Sequence, residues 1–199
     1  MKRKNIIEAP MGEKTVLLHT CCAPCSSAII EAMLANGITP VIYYCNPNIY
    51  PQQEYEIRKD ECTRYAKSLG LEIVDADYDH ENWLEAMKGL EAEPERGGRC
   101  LKCFKIRLLR TAEYAASRGI KVITTTLASS RWKSLDQINE AGQWACARQS
   151  AIPPANNVHW WDRNWRKGGL QERRLQIIKE YDFYNQLYCG CEFSMRKED

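Results

Sequence analysis

The chain has 199 residues, 44% hydrophobic and 27% charged, with a formal net charge of +2 and ten cysteines. That balance excludes a disordered or fibrous chain, and by itself marks no polyanionic partner. The apolar runs are far short of the roughly 20 residues of a membrane span, and the charged first 14 residues lack a signal core, so the sequence reads as one cytoplasmic domain over residues 1–199 with no membrane partner. Cysteines in that compartment are metal ligands or redox groups more often than a disulfide framework.

Residues 1–14 read as a polar lead-in. Residues 15–19 predict a first strand, and residues 24–36 a helix with Pro24 in its first turn and Gly37 as its stop. Between them Cys21, Cys22 and Cys25 occupy a strand-to-helix turn. There the carboxyl end of a strand meets a positive helix N-terminus, which binds ligands and stabilises thiolates. A second strand, 41–45, runs into the loop Asn46-Pro47-Asn48-Ile49-Tyr50-Pro51. A helix over 51–69, a strand over 71–78 and a short helix over 80–89 follow, then a polar break over 90–98. Residues 100–118 predict a strong helix, with Leu101, Phe104, Leu108 and Ala112 at helical spacing. A fourth strand over 121–128, a helix from 134 to about 147, a Pro153-Pro154 break leading into 158–165, and a last helix over 170–187 complete the chain. This alternation implies an α/β fold: a parallel sheet with right-handed crossovers and helices on both faces.

Parallel strands bring Cys21, Cys22 and the loop after Cys45 to one crevice, and Cys100-x-x-Cys103 opens a helix that can face the same edge. Four thiolates from two separated pairs suit tetrahedral zinc or an iron–sulfur cluster; the adjacency of Cys21 and Cys22 favours the cluster. Cys189-Gly190-Cys191 can close a small strained disulfide, since glycine accepts the backbone angles required, or supply further metal ligands. Cys45, Cys62 and Cys146 read as structural, and Cys25 as a spare ligand, a second-metal ligand or a packing residue. The basic run from Arg96 to Arg110 can be a solvated face or receive phosphates, and Trp160, Trp161 and Trp165 can pack or stack on bases. Arg99 and Arg107 of this run are expected to lie near the site and to help hold a phosphate backbone.

Several stretches, taken together and in order from Thr15 to Ser194, resemble one family. They are His19-Thr20-Cys21-Cys22-Ala23-Pro24-Cys25-Ser26, the 46–51 loop with Glu54, Tyr55 and Arg58, Arg99-Cys100-x-x-Cys103-Phe104-x-x-Arg107-Leu108, Thr124-Thr125-Thr126-Leu127, and Tyr188-Cys189-Gly190-Cys191-x-Phe193-Ser194. The family is QueH, the epoxyqueuosine reductases. The resemblance implies a Rossmann-like fold of the adenine-nucleotide hydrolase type, with a C-terminal helical segment carrying the Cys-Gly-Cys. It implies reductive removal of the epoxide oxygen of epoxyqueuosine at the tRNA wobble position, the last step of queuosine biosynthesis. It also implies a 4Fe-4S cluster on Cys21, Cys22, Cys100 and Cys103, a redox-active pair in Cys189 and Cys191, a second metal ion (iron) beside the cluster, and an external electron donor. Residues 128–133 and 168–172 depart from the family pattern. The alternatives are an iron–sulfur tRNA sulfurtransferase, against which stands the lack of a pyrophosphate loop, and a zinc-stabilised RNA-binding module without catalysis.

Overall fold

The computed structural model describes residues 6–151, 157–184 and 186–195. Its centre is strand β1 (Thr15–Thr20), whose Val16, Leu17 and Leu18 are fully buried. A strand apolar on both faces has to be covered on both, which a parallel sheet between helical layers achieves. Strand β2 (Thr39–Tyr44) flanks it on one side, pairing Ile42 with Leu18. On that side β3 (Ile73–Asp75) lies beyond β2; on the other, β4 (Val122–Thr125) pairs Thr124 with Leu18 and β5 (His159–Trp160) lies beyond it. The order is β3-β2-β1-β4-β5, all parallel.

Helices α1 (Ala23–Ala35) and α2 (Gln52–Ser68) carry the chain outward from β1 to β3. Helices α3 (His80–Met87) and α4 (Gly98–Ser117) bring it back across to β4, and α5 (Leu135–Ser150) leads to β5. Right-handed crossovers in opposite directions place α1 and α2 on one face and α4 and α5 on the other. A last helix, α6 (Leu170–Glu180), packs on α1. The direction of winding reverses between β1 and β4, so the carboxyl ends of these two strands flank the crevice where such sheets bind ligands.

The strand expected over 121–128 ends at Thr125, because the Thr125 hydroxyl accepts the Leu127 N–H at 3.1 Å and caps a short helical turn, Thr126–Ser129. The last helix ends at Glu180, not Leu187: Asp182 takes φ 49°, and Tyr181 and Phe183 turn back edge-on to Tyr65 of α2, at 5.0 and 5.2 Å. The Cys-Gly-Cys therefore lies on irregular chain beyond α6. Strand β5 has two residues, too few for any sequence period. The described part of the lead-in is not merely polar, since Ile7 and Ala9 join the core. The Pro153-Pro154 break and residues 1–5 lie outside the described residues. No helix among the described residues is long and apolar enough to cross a membrane.

The tryptophan set near the C-terminus packs. Trp165 is fully buried, with its indole N–H on Thr124 Oγ1 at 3.2 Å and its ring edge-on to Trp161 at 5.2 Å. Trp160 lies against Gly142 of α5, where a Cβ would come within 2.2 Å of the ring. Trp161 and Trp165 are core and Trp160 packs partly buried against it, so these rings serve packing and not base stacking.

His19 is fully buried and ties three strands together. A carbonyl can only accept, so Nε2 donates to Cys45 O at 3.0 Å while Nδ1 accepts from the Thr125 hydroxyl at 2.7 Å. Burial, reinforced by the Arg107 charge, pushes His19 down to about 3 and keeps it neutral.

Candidate redox and metal site

The turn after β1 delivers three thiols to one point. Cys22 is the extended residue before α1, and Pro24 lies in the first turn, where its missing N–H leaves nothing unpaired. Cys21 N–H donates to Thr126 Oγ1 at 3.2 Å, which fastens the turn to the end of β4. The Sγ atoms of Cys21, Cys22 and Cys25 lie within 4.8 Å of one another, with Cys22 to Cys25 at 2.6 Å and Cys21 to Cys22 at 3.8 Å. Gln186 Nε2 donates to Cys22 Sγ at 3.2 Å from the far side. Hydrogen bonds from Cys22 and Cys25 hold the Cys21 thiol well below the usual cysteine range, while burial pushes Cys22 well above it. A cation held by the trio would have to displace the protons that burial keeps on these sulfurs.

Across the crevice stands the N-terminus of α4. Glu93 accepts the Gly98 N–H at 2.8 Å and so caps the helix. Cys100 accepts the Arg96 N–H at 3.3 Å, and Arg96 is held at φ 68°. Cys103 is buried beside Trp83, and burial raises its thiol. Arg99 and Arg107 line the cleft, as expected of residues near the site, but the donors that bond do so within the protein. Arg99 donates to the carbonyls of Leu90, Glu91 and Glu93 at 3.2, 2.8 and 2.5 Å. Arg107 donates to Cys45 O at 3.2 Å and Asn46 Oδ1 at 2.5 Å. Both side chains are buried, so they brace loops under the site; the expectation that they help hold a phosphate backbone is corrected.

The Cys-Gly-Cys segment is held over the crevice by α2. Arg58 pairs with Glu54 at 2.6 Å and donates to the carbonyls of Tyr188 and Cys189 at 3.3 and 3.4 Å. Tyr184 closes the cluster by donating to Glu54 at 2.8 Å. Gly190 takes φ 118°, and a Cβ there would meet Ile49 at 3.0 Å and Arg58 at 3.1 Å, so this position requires glycine. Its carbonyl accepts the Tyr50 N–H at 2.8 Å. Lys133 Nζ donates to Cys189 Sγ at 3.2 Å. Burial alone would lower Lys133, but the facing thiols Cys189 and Cys21 outweigh it and hold the ammonium above the lysine range. Burial, with Cys189 next to it, pushes the Cys191 thiol up to about 11.

Replacing Arg58 with leucine would strand Glu54 as a buried unpaired carboxylate and free the 188–191 segment. The expected loss is about 3 kcal/mol, read from the urea midpoint. A midpoint within error of wild type would show that the pair does not anchor that segment.

The result is a cleft of about 740 Å³ at the switch point of the sheet, lined by Cys21, Cys25, Cys100, Cys103, Cys189 and Cys191. Cys22 stands directly behind it in the trio. The structure thus brings all six thiols singled out as site residues to one place, and adds Cys25 to the Cys21 and Cys22 group. Cys100 and Cys103 face that group but do not belong to its compact set. Cys45, Cys62 and Cys146 are buried outside the trio and do not line the cleft. Lys133 and Gln186 had no signal in the sequence, because each reaches the site from irregular chain. An all-thiol group without carboxylate or imidazole suits a soft metal, and the neighbouring dithiol can take up or release two electrons.

The family model described as epoxyqueuosine reductase QueH matches residues 16–197. The epoxyqueuosine reductase QueH of Haemophilus influenzae is 48% identical over 190 residues, covering 96% of this chain and 75% of that protein. The protein of the same name from Acinetobacter baylyi is 45% identical, covering 96% of this chain and 84% of its own length. That from Thermotoga maritima is 34% identical, with 91% and 90% covered. With its parallel sheet, its cysteine-lined cleft and this similarity over nearly its whole length, the chain belongs to the QueH family of epoxyqueuosine reductases.

Proposed function

We propose that the chain, folded as one domain, is a cytoplasmic oxidoreductase that removes the epoxide oxygen of epoxyqueuosine at the tRNA wobble position and leaves queuosine. The observation that supports this best is the single cleft into which three separate stretches of chain deliver thiols. The reaction converts an epoxide into an alkene and water, which takes up two electrons and two protons. Oxidation of the Cys189 and Cys191 dithiol to a disulfide releases two of each, so the step balances, and an external electron donor restores the dithiol afterwards.

In this reading Cys21, Cys22, Cys100 and Cys103 hold a 4Fe-4S cluster. Their chemistry fits: each is a thiol, the first two are adjacent at a helix N-terminus, and the last two are one helical turn apart at another. When bound, such a cluster supplies electrons one at a time. Cys25, in contact with Cys22, is the thiol to which a second iron ion beside it would have access. The protein's own groups arrange the rest. Arg58 holds the Cys-Gly-Cys in place, Lys133 keeps a positive charge at Cys189 Sγ, and the buried wall of Trp83 and Phe104 limits water.

The test is direct. The chain, purified without oxygen, is incubated with tRNA containing epoxyqueuosine and a chemical reductant, and the nucleosides are weighed. A product lighter by one oxygen is expected; unaltered epoxyqueuosine after prolonged incubation would overturn the reading.

A further inference from the structure

Trp132 stands at the rim of the cleft with 76% of its surface exposed, far more than an indole keeps without reason. Its backbone, by contrast, is fixed on several sides. Arg96 donates from Nε to Trp132 O and from Nη2 to Arg131 O, both at 2.9 Å. Trp132 N–H donates to Ser130 Oγ at 3.3 Å, and Arg166 holds the carbonyl of Lys133 at 2.7 Å. Gln137 in turn holds Arg96 O at 2.8 Å, and the left-handed Arg96 places its own N–H on Cys100 Sγ. A rigid loop therefore presents a bare aromatic face, and the residue that braces it also touches the thiol site.

The surroundings select the occupant. Among the described residues, Arg99 and Arg107 are tied down beneath the cleft, and the other charged side chains lining it are Arg96, Arg131, Lys133 and Arg174 against the single acid Glu95. Arg131 is exposed beside Trp132. A flat ring within a basic rim is the combination that binds a single-stranded polyanion: the ring stacks a base and the cations track the backbone. We infer that Trp132 is the stacking platform for a base of the anticodon loop next to the nucleoside in the cleft, with Arg131 on the adjoining phosphate. This rests on the tRNA substrate proposed above and deepens it. Preorganisation explains the rigid loop, since an aromatic group already in place loses little freedom on binding.

The test uses a fluorescein-labelled anticodon stem–loop RNA and the whole chain, with binding followed by anisotropy at several salt concentrations. Trp132→Ala should weaken binding about tenfold and leave the salt slope unchanged, because the indole has no charge. Trp132→Phe should recover most of the affinity. Arg131→Gln should instead lower the salt slope by about one. Intrinsic fluorescence should be quenched by RNA in wild type, and the quench should shrink in Trp132→Phe. The exposed position makes misfolding of these variants detectable as a changed melting midpoint, expected to stay at the wild-type value. Wild-type affinity in Trp132→Ala, which would leave the indole to a protein partner, overturns the stacking role while the substrate reading stands. No RNA binding by the wild-type chain overturns both.

Discussion

Substituting alanine for Cys100 is expected to remove the visible absorption near about 400 nm that thiolate-bound iron gives, together with most of the iron and sulfide. The substitution separates two ways in which these thiols could hold metal. In the structure the compact group is Cys21, Cys22 and Cys25, within 4.8 Å, whereas Cys100 and Cys103 face it from α4. If the trio alone held the metal, loss of Cys100 would leave the metal content nearly intact. If the set is Cys21, Cys22, Cys100 and Cys103, each of the four is indispensable. Cys100 is the informative one because it is only partly buried and its Sγ accepts a single backbone N–H, from Arg96, so its removal disturbs little packing. A variant with full absorption and full iron would sink the four-cysteine assignment.

Serine at Cys189 or at Cys191 should have the opposite signature. Iron and sulfide should stay near the wild-type level, while epoxide reduction falls to background. Both side chains lie on the segment that α2 holds through Arg58, apart from the Cys21 turn, so neither substitution alters the group formed by Cys21, Cys22 and Cys25. A serine hydroxyl cannot form a disulfide, so the two-electron step has no donor pair. The partner thiol, left single, should be alkylated by iodoacetamide even in protein kept without reductant. Loss of a metal ion in these variants would instead make the pair ligands.

The sequence carried most of this fold because its signals are local. The apolar run of β1, Pro24 after the cysteines, the glycines that stop helices and the spacing of Leu101, Phe104, Leu108 and Ala112 each report on a few adjacent residues. It did not carry the end of α6 or the edge strand β5. Those depend on tertiary partners, Tyr65 for the turned-back Tyr181 and Phe183, and Gly142 for Trp160. The thiols of the site were readable because cysteine pairs are rare and spaced. The charges were misread for the same physical reason that hides β5: a basic run in sequence does not say which guanidinium groups are consumed by carbonyls. Arg99 and Arg107 bond in this way, and a strongly exposed aromatic group at the cleft is Trp132, outside the tryptophan cluster the sequence highlights.

A single turnover would test the central claim, that this thiol cleft reduces the epoxide, most directly. Protein reduced in advance, freed of reductant and kept without oxygen, is mixed with an equal amount of tRNA containing epoxyqueuosine. The nucleoside and the thiols of the recovered protein are then analysed together. The account predicts queuosine in step with a new Cys189–Cys191 disulfide, and neither product in Cys191→Ser. Queuosine formed while Cys189 and Cys191 both remain open to alkylation would contradict it.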